Sequence, residues 1–479
     1  MEKNNSLKKN AILNIIYKLS SMIFPMIIYP YVSRVLDAEY LGKVTFFSNI
    51  ASYGMLIGAL GISTYGIRAV AKVRDDKLRL SKTVKELFWI NTLVTCGVIV
   101  FLILSFVWID KFRTNRWLFI ISIGQIALAP FSMEWLYGGL EQYTYITKRA
   151  ILFKLVSLVL IFGFVHTKND YIIYAFILAV ACVGNYICNF VYSKKFISFK
   201  IKDKLELQKH MKPILTFFAS LLAISIYTNL DSLMLGFISG DKAVGLYDVA
   251  VKAKTVILSL INAISAVLLP RLSYYIAQEE QENYNNTLKS SIRIILMISI
   301  PLTVFFEIEA WDCIFILGGM NYVAAVPCMM ILMPILLISG FSNITGNQIL
   351  IPHGLENCYT KAVICGAFVD VIFNALFMPI YGIYGAAIAT LLAEVTQMLV
   401  QTFFSKKYLR NKIEKDFARR ILIATLVAGI ITAVLRLMVR FNPFLNILIC
   451  SGGFFICYIS FLFAMKIEEI YMVLNKLKK

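Results

Sequence analysis

The sequence predicts an all-α polytopic membrane protein of about fourteen transmembrane helices, on three observations. Of its 479 residues, 59% are hydrophobic and 16% charged, with a mean hydropathy of +0.75; soluble domains run at roughly 45–50% and about 25%. Apolar stretches near the ~20 residues that a spanning helix needs follow one another along the chain, and none alternates with period two as a barrel strand does. A formal net charge of +19 is gathered between these stretches and scarcely enters them. A soluble fold could not hide this much apolar surface, and a chain so apolar is not a nucleic-acid binder.

In order, and to within several residues, the first six spans run 11–33, 44–67, 85–108, 117–138, 150–166 and 171–192. The next six run 212–238, 246–269, 290–311, 323–349, 361–379 and 383–404, and a last pair runs 418–439 and 444–465. Pro25 and Pro30 in the first span, Pro301 in the ninth, and Pro327 and Pro334 in the tenth predict kinks. The longer polar connections, near 68–84 and 193–211, have room for surface helices at most.

Basic residues set the orientation, because cytoplasmic loops carry an excess of Lys and Arg. With the amino terminus inside, 34 of the 47 Lys and Arg fall in the inner connections and tail and 9 in the outer loops; four lie within spans. Both termini are therefore expected in the cytoplasm. The amino-terminal segment lacks the cleavage pattern of a secretory signal. The nine cysteines contain no C-x-x-C pair and the three histidines no H-E-x-x-H, so neither a metal site nor a hydrolytic centre is expected.

The chain also repeats itself. Asp37-Ala-Glu-Tyr-Leu-Gly42 opens the second span and Asp241-Lys-Ala-Val-Gly245 the eighth, with Gly42 and Gly245 203 residues apart. Arg68 and Arg271 close those spans at the same separation, and Gly139-Leu-Glu and Gly354-Leu-Glu follow spans four and ten, 215 apart. These spacings predict two six-helix lobes of like orientation, 1–200 and 201–410, followed by terminal helices 13 and 14 with the tail over 411–479. Parallel repeats of this kind are a transporter architecture.

Polar residues inside a bilayer are costly and usually face a wet interior. The eighth span carries Asp248, Lys252, Thr255, Ser259 and Asn262 at spacings of 4, 3, 4 and 3, on one helical face. The second span offers Asn49 and Ser52, the first Asn14, Lys18 and Ser21, and the seventh Tyr227 and Asp231. These four spans are expected to line a cavity. Its cations are Lys18, Lys154, Lys252 and Lys254 within spans, with Arg34, Arg68 and Arg271 at span ends. Lys and Arg hold phosphates by charge-assisted hydrogen bonds, so the expected ligand is anionic, a phosphate or pyrophosphate. Asp231, Asp248 and Asp370 are candidates for ion coupling, with Glu394 and Glu134 as further acidic groups; an ordinary i,i+4 pair of Asp248 with Lys252 is the structural alternative.

Ser33-Arg-Val-Leu-Asp-Ala-Glu-Tyr-Leu-Gly42, the Glu134-Trp-Leu-Tyr-Gly-Gly-Leu-Glu141 turn, Asn229-Leu-Asp-Ser-Leu-Met-Leu-Gly236 and Tyr381-Gly-Ile-Tyr-Gly-Ala-Ala-Ile-Ala-Thr390 resemble the polysaccharide transport family of bacterial oligosaccharide flippases. That family belongs to the multidrug/oligosaccharidyl-lipid/polysaccharide exporter superfamily. The resemblance runs to about residue 410 and rests on motif order more than on any single motif. It implies a transporter and no enzyme, in the cytoplasmic membrane of a bacterium. The implied cargo is an undecaprenyl-diphosphate-linked oligosaccharide repeat unit for capsule, exopolysaccharide or O-antigen-type polysaccharide. Alternating access would move it without a cofactor, driven by a proton or sodium gradient, with polysaccharide polymerase machinery as a further partner. The alternatives are a lipid II flippase, a multidrug efflux carrier of the same superfamily, which should show an acidic cavity, and a membrane glycosyltransferase or polymerase, for which no loop is long enough.

Overall fold

A computed structural model describes residues 2–200, 204–410, 412, 414–438 and 441–467, with backbone only for 2–16, 18, 19, 22, 220 and 227. The side chains of Asn14, Lys18 and Tyr227 thus lie outside the described residues. Everything described is helix, turn or connection, with no strand among the described residues. The chain packs as two units, Met1–Gly236 and Phe237–Lys479.

The first unit contains α1 (Glu2–Ala59), α2 (Ile62–Val73), α3 (Lys77–Trp108), the short α4 (Asp110–Thr114), α5 (Arg116–Leu128), α6 (Glu134–Gly139), α7 (Tyr143–Phe164) and α8 (Tyr171–Ser193). It ends within the last turn of α9 (Gln208–Ile238). The second contains α10 (Asp241–Ala277), α11 (Gln281–Ile308), α12 (Ala310–Gly318), α13 (Val326–Leu332), α14 (Ile335–Asn343), a π-helical stretch (Ile344–Leu350), α15 (Glu356–Tyr381), α16 (Ile383–Leu409), α17 (Lys415–Met438) and α18 (Pro443–Ala464). The repeat assigns α9 to the second half of the chain, whereas α9 as far as Gly236 belongs to the first packing unit.

Among the described residues, ten helices are long and apolar enough to cross a membrane, or twelve when two bent pairs each count as one span. One of the ten, Ile23–Val73, takes in the second half of the first predicted span and all of the second, which part at Asp37 (φ 65, ψ 165). The 22-residue α7, with Lys148, Arg149 and Lys154 along it, stands where the fifth is predicted. Fourteen is thus an approximate count whose order matches the structure. Large apolar side chains face outward along these helices, among them Phe101, Leu104 and Val107 on α3 and Leu426, Ile430 and Leu437 on α17. Helices apolar all round belong in lipid.

Two positions at the predicted repeat offset share a backbone geometry. Asp37 and Gly240, 203 residues apart, share one rare conformation, φ 65 and ψ 165 against φ 88 and ψ 178. Each stands immediately before the helix that opens its half's second span. The halves then diverge, because the first breaks again at Leu60 and Gly61, both at positive φ, while α10 runs unbroken. Gly61 is required there: a Cβ would come within 2.7 Å of the Phe218 amide nitrogen and 2.8 Å of the Ile214 carbonyl oxygen, both backbone atoms of α9.

Two polar clamps hold helix ends at the side that the charge bias assigns to the cytoplasm. In the first unit, Glu86 of α3 is fully buried and accepts hydrogen bonds from the Glu206 amide at 2.8 Å and the Lys209 ammonium. His210 links the Glu86 carboxylate to the Tyr65 hydroxyl, at 2.8 Å on each side. In the second unit, Glu414 pairs with Lys289 and, at 2.5 Å, with Arg293, tying the start of α17 to α11. Hydrogen bonds from these two cations hold the Glu414 carboxyl below its ordinary range. Beyond this clamp, α11, α17 and α18 share an apolar core around Phe305, Ala424, Ala428 and Phe454.

Candidate functional site

Each unit contains its own polar centre. In the first, α1, α6, α7 and α8 converge. Tyr17 of α1 donates from its hydroxyl to Glu134 Oε1 at 3.0 Å. Glu134 occupies the first turn of α6, where the helix dipole favours an acid. Lys154 of α7 donates to Ser20 Oγ at 3.0 Å and Ser21 Oγ at 2.8 Å, with its ammonium 5.3 Å from the centre of the Tyr17 ring. One turn earlier on α7, Arg149 is buried, and its Nε donates to Asn185 Oδ1 of α8 at 2.8 Å. Asn185 is in turn oriented by its own bond to the Ala181 carbonyl. The result is a set of cations and hydroxyls braced by one carboxylate, an arrangement able to bind an anion.

Other residues predicted for this site lie elsewhere in the same unit. Arg34 is exposed and donates to the Pro30 carbonyl at 2.8 Å. Arg68 is exposed and sits over the Phe217 ring. Asn49 is half-buried and Ser52 exposed, its hydroxyl donating to the Ser48 carbonyl one turn back. Asp231 is buried. Arg149 and Asn185 are functional candidates that the sequence reading passed over. The fifth span was placed at 150–166, but α7 begins at Tyr143, so Arg149 lies nearly two turns inside it.

In the second unit, α10 keeps the predicted stripe accessible. Asp248, Lys252 and Ser259 are half-buried and Thr255 and Asn262 exposed, while Val249, Ala253, Ile257 and Ile261 on the opposite face are buried. Lys252 pairs with Asp248, as the i,i+4 alternative requires. Lys254 is half-buried, and Arg271 is exposed and donates to the Tyr275 hydroxyl at 2.8 Å. The stripe is extended by Asn343, which donates to Asn262 Oδ1 at 2.8 Å and receives a bond from Asn347. Asn347 belongs to the π-helical stretch, a geometry often found at functional positions.

Behind the stripe is a buried polar core. Ser339 donates to Glu394 at 2.8 Å, Thr345 to Gln401 at 2.8 Å, Gln348 to Ser265 at 3.2 Å, and Tyr247 bonds Thr390 at 2.8 Å. Asp370 and Asn374, one turn apart on α15, are fully buried. No cluster of three or more His, Cys, Asp or Glu that could hold a metal exists among the described residues.

Comparison with known proteins agrees with this architecture. Residues 7–276 match a protein family described as "Polysaccharide biosynthesis protein". A curated relative from Escherichia coli (strain K12), named "Putative O-antigen transporter", is 24% identical over 413 residues, covering 85% of this chain and 98% of that one. Among solved structures, the lipid II flippase MurJ in an inward closed conformation superposes with a TM-score of 0.71 at 16% identity, covering 94% of this chain and 98% of its own. An inward-facing multidrug resistance MATE family transporter of the MOP superfamily superposes at 0.64 and 16% identity, over 83% of this chain and 94% of that one. The fold is shared, and these proteins are transporters and flippases, not enzymes.

Proposed function

The chain belongs to the polysaccharide biosynthesis protein family, and from that premise we propose that it carries an undecaprenyl-diphosphate-linked oligosaccharide repeat unit across the cytoplasmic membrane of a bacterium by alternating access. The product would serve capsule, exopolysaccharide or O-antigen-type synthesis, with both termini in the cytoplasm. The accessible polar stripe of α10 carries this reading. A helix that buries Val249, Ala253, Ile257 and Ile261 and leaves Lys252, Thr255 and Asn262 accessible needs water or a polar ligand against its second face. The name of the Escherichia coli relative supports a glycan as cargo.

In this proposal Lys18, Lys154, Lys252 and Lys254 attract the diphosphate, with Arg34, Arg68 and Arg271 at the span ends. Charge-assisted bonds to phosphate oxygens supply the grip, and the lipid tail stays in the bilayer. A proton or sodium gradient drives the cycle through a buried carboxylate. The candidates for that carboxylate are Asp231, Asp248 and Asp370, of which Asp248 pairs with Lys252. Polysaccharide polymerase machinery is the expected consumer of the flipped unit.

The test is transport of a fluorescent lipid-linked repeat unit in proteoliposomes. Lys18→Ala with Lys252→Ala should slow flipping at least tenfold while leaving the protein monodisperse in detergent. Wild-type flipping by the double variant would overturn the cationic-grip mechanism. Flipping of lipid II at the same rate as the repeat unit would overturn the assigned cargo.

A further inference from the structure

We propose that the groove between α7 and α8 is a binding site for the headgroup of an acidic glycerophospholipid, distinct from the transport function proposed above. The two helices run antiparallel, and the groove, about 800 Å³, opens where α7 begins and α8 ends. Lys148, Arg149 and Lys195 line it, and no carboxylate does. Three cations with no acid among the lining residues make a site of one sign, matched by a phosphate.

Arg149 marks the place of that phosphate. It is 7% exposed, its Nε is committed to Asn185, and its Nη1 is buried without a hydrogen-bond partner. A buried guanidinium nitrogen left unsatisfied is costly, and a phosphate oxygen would satisfy it in charge-assisted form. Arg149 stands six residues into α7, about 9 Å along the axis. It therefore lies within reach of lipid headgroups.

The groove is built before any lipid arrives. The rings of Tyr145 and Tyr192 stack with centroids 4.0 Å apart, and the Tyr145 hydroxyl donates across to the Cys188 carbonyl at 3.0 Å. The Arg149 guanidinium lies over the Tyr145 ring. Tyrosines of this kind sit at the interface between hydrocarbon and water. Beside these groups the wall is apolar and open: Leu152, Ile187 and Val191 are each more than half exposed. Cations set beside an open apolar wall suit a ligand with a phosphate and acyl chains. Basic pockets between helices at a membrane face take acidic headgroups for this reason.

The test uses the full-length protein in mild detergent. Mixed micelles of phosphatidylglycerol or phosphatidylcholine are added, and bound lipid is counted by native mass spectrometry. Phosphatidylglycerol should be retained in preference. Because Lys148 and Lys195 are exposed, Lys148→Ala with Lys195→Ala should fold normally and weaken retention about thirty-fold, from about 1 kcal/mol per basic residue. Equal retention of the two lipids, or unchanged retention by the double variant, would overturn the proposal. Displacement by millimolar inorganic phosphate would identify a phosphate site instead, and preferential displacement by polyprenyl diphosphate would assign the groove to the cargo. Repeat-unit flipping by the double variant reports separately on the transport reading.

Discussion

Removing the carboxylate of Glu86 should loosen the segment that leads into α9 by a predictable amount. Glu86 is fully buried and accepts from the Glu206 amide at 2.8 Å and from Lys209 at 3.0 Å, and it shares a 2.8 Å bond with His210. The Lys209 side chain is 43% exposed, so its ion pair is screened and worth about 1 kcal/mol or less. The two remaining bonds involve a buried charge and are worth about 1.5–3 kcal/mol each. Glu86→Ala also leaves the Glu206 amide and the His210 ring unsatisfied, and removal of one partner from a buried charged group costs about 3–5 kcal/mol. The expected loss is therefore near 4 kcal/mol, close to a thousand-fold in the local opening equilibrium. Glu86→Gln keeps one acceptor oxygen and should lose about half as much. Amide hydrogen exchange over 204–210, in detergent or nanodiscs, reads this directly. Exchange within threefold of wild type for Glu86→Ala would refute the reasoning. So would an equal effect of Ala and Gln.

Two further outcomes follow from particular contacts. Gly61→Ala should lower thermal stability by about 2–5 kcal/mol: the positive φ of 93 costs about 1–2 kcal/mol, and overpacking against the α9 backbone about 1–3; an unchanged Tm would show that α9 yields freely. The tie between α17 and α11 should weaken in acid. Because the folded value of Glu414 is depressed, its contribution is complete above the ordinary value of 4.5 and lost as pH falls through the lower folded value. Exchange protection over 414–420 should drop in that window in the wild type and show no such step in Glu414→Gln.

The fold was legible because membrane spans declare themselves locally. A run of apolar residues and the placement of Lys and Arg between runs need no tertiary knowledge. The 203-residue offset between Gly42 and Gly245 also separates Asp37 from Gly240, which share a rare backbone geometry. Span edges were less readable. Lys148 and Arg149 look like a loop by charge, yet their long stems allow cations to sit inside a helix, so α7 starts seven residues before the predicted span. The split of the second span at Gly61 was hidden because it answers to the approach of α9, more than 150 residues away. The α10 stripe could be read from spacing alone. The bonds from Lys154 to Ser20 and Ser21, and from Glu86 to His210, could not, since no periodicity reports which helices pack together. The π-helical stretch left a faint trace in Asn343 and Asn347, four apart, without a sign of its geometry.

The shared backbone at Asp37 and Gly240 bears on how an internal repeat is to be looked for. Backbone with φ near 65 and ψ near 165 is essentially glycine territory, and other residues hold it at about 1–3 kcal/mol. One of the two positions has glycine, the residue that adopts this turn at no cost. The other has Asp37, which caps its own strain by accepting a bond from the Ala38 amide at 2.6 Å. What the two positions share is therefore a torsion and not a side chain. Sequence alignment of the halves undervalues such a position, and a search for ancient duplications in transporters would recover more by matching rare backbone angles at constant offset than by matching letters.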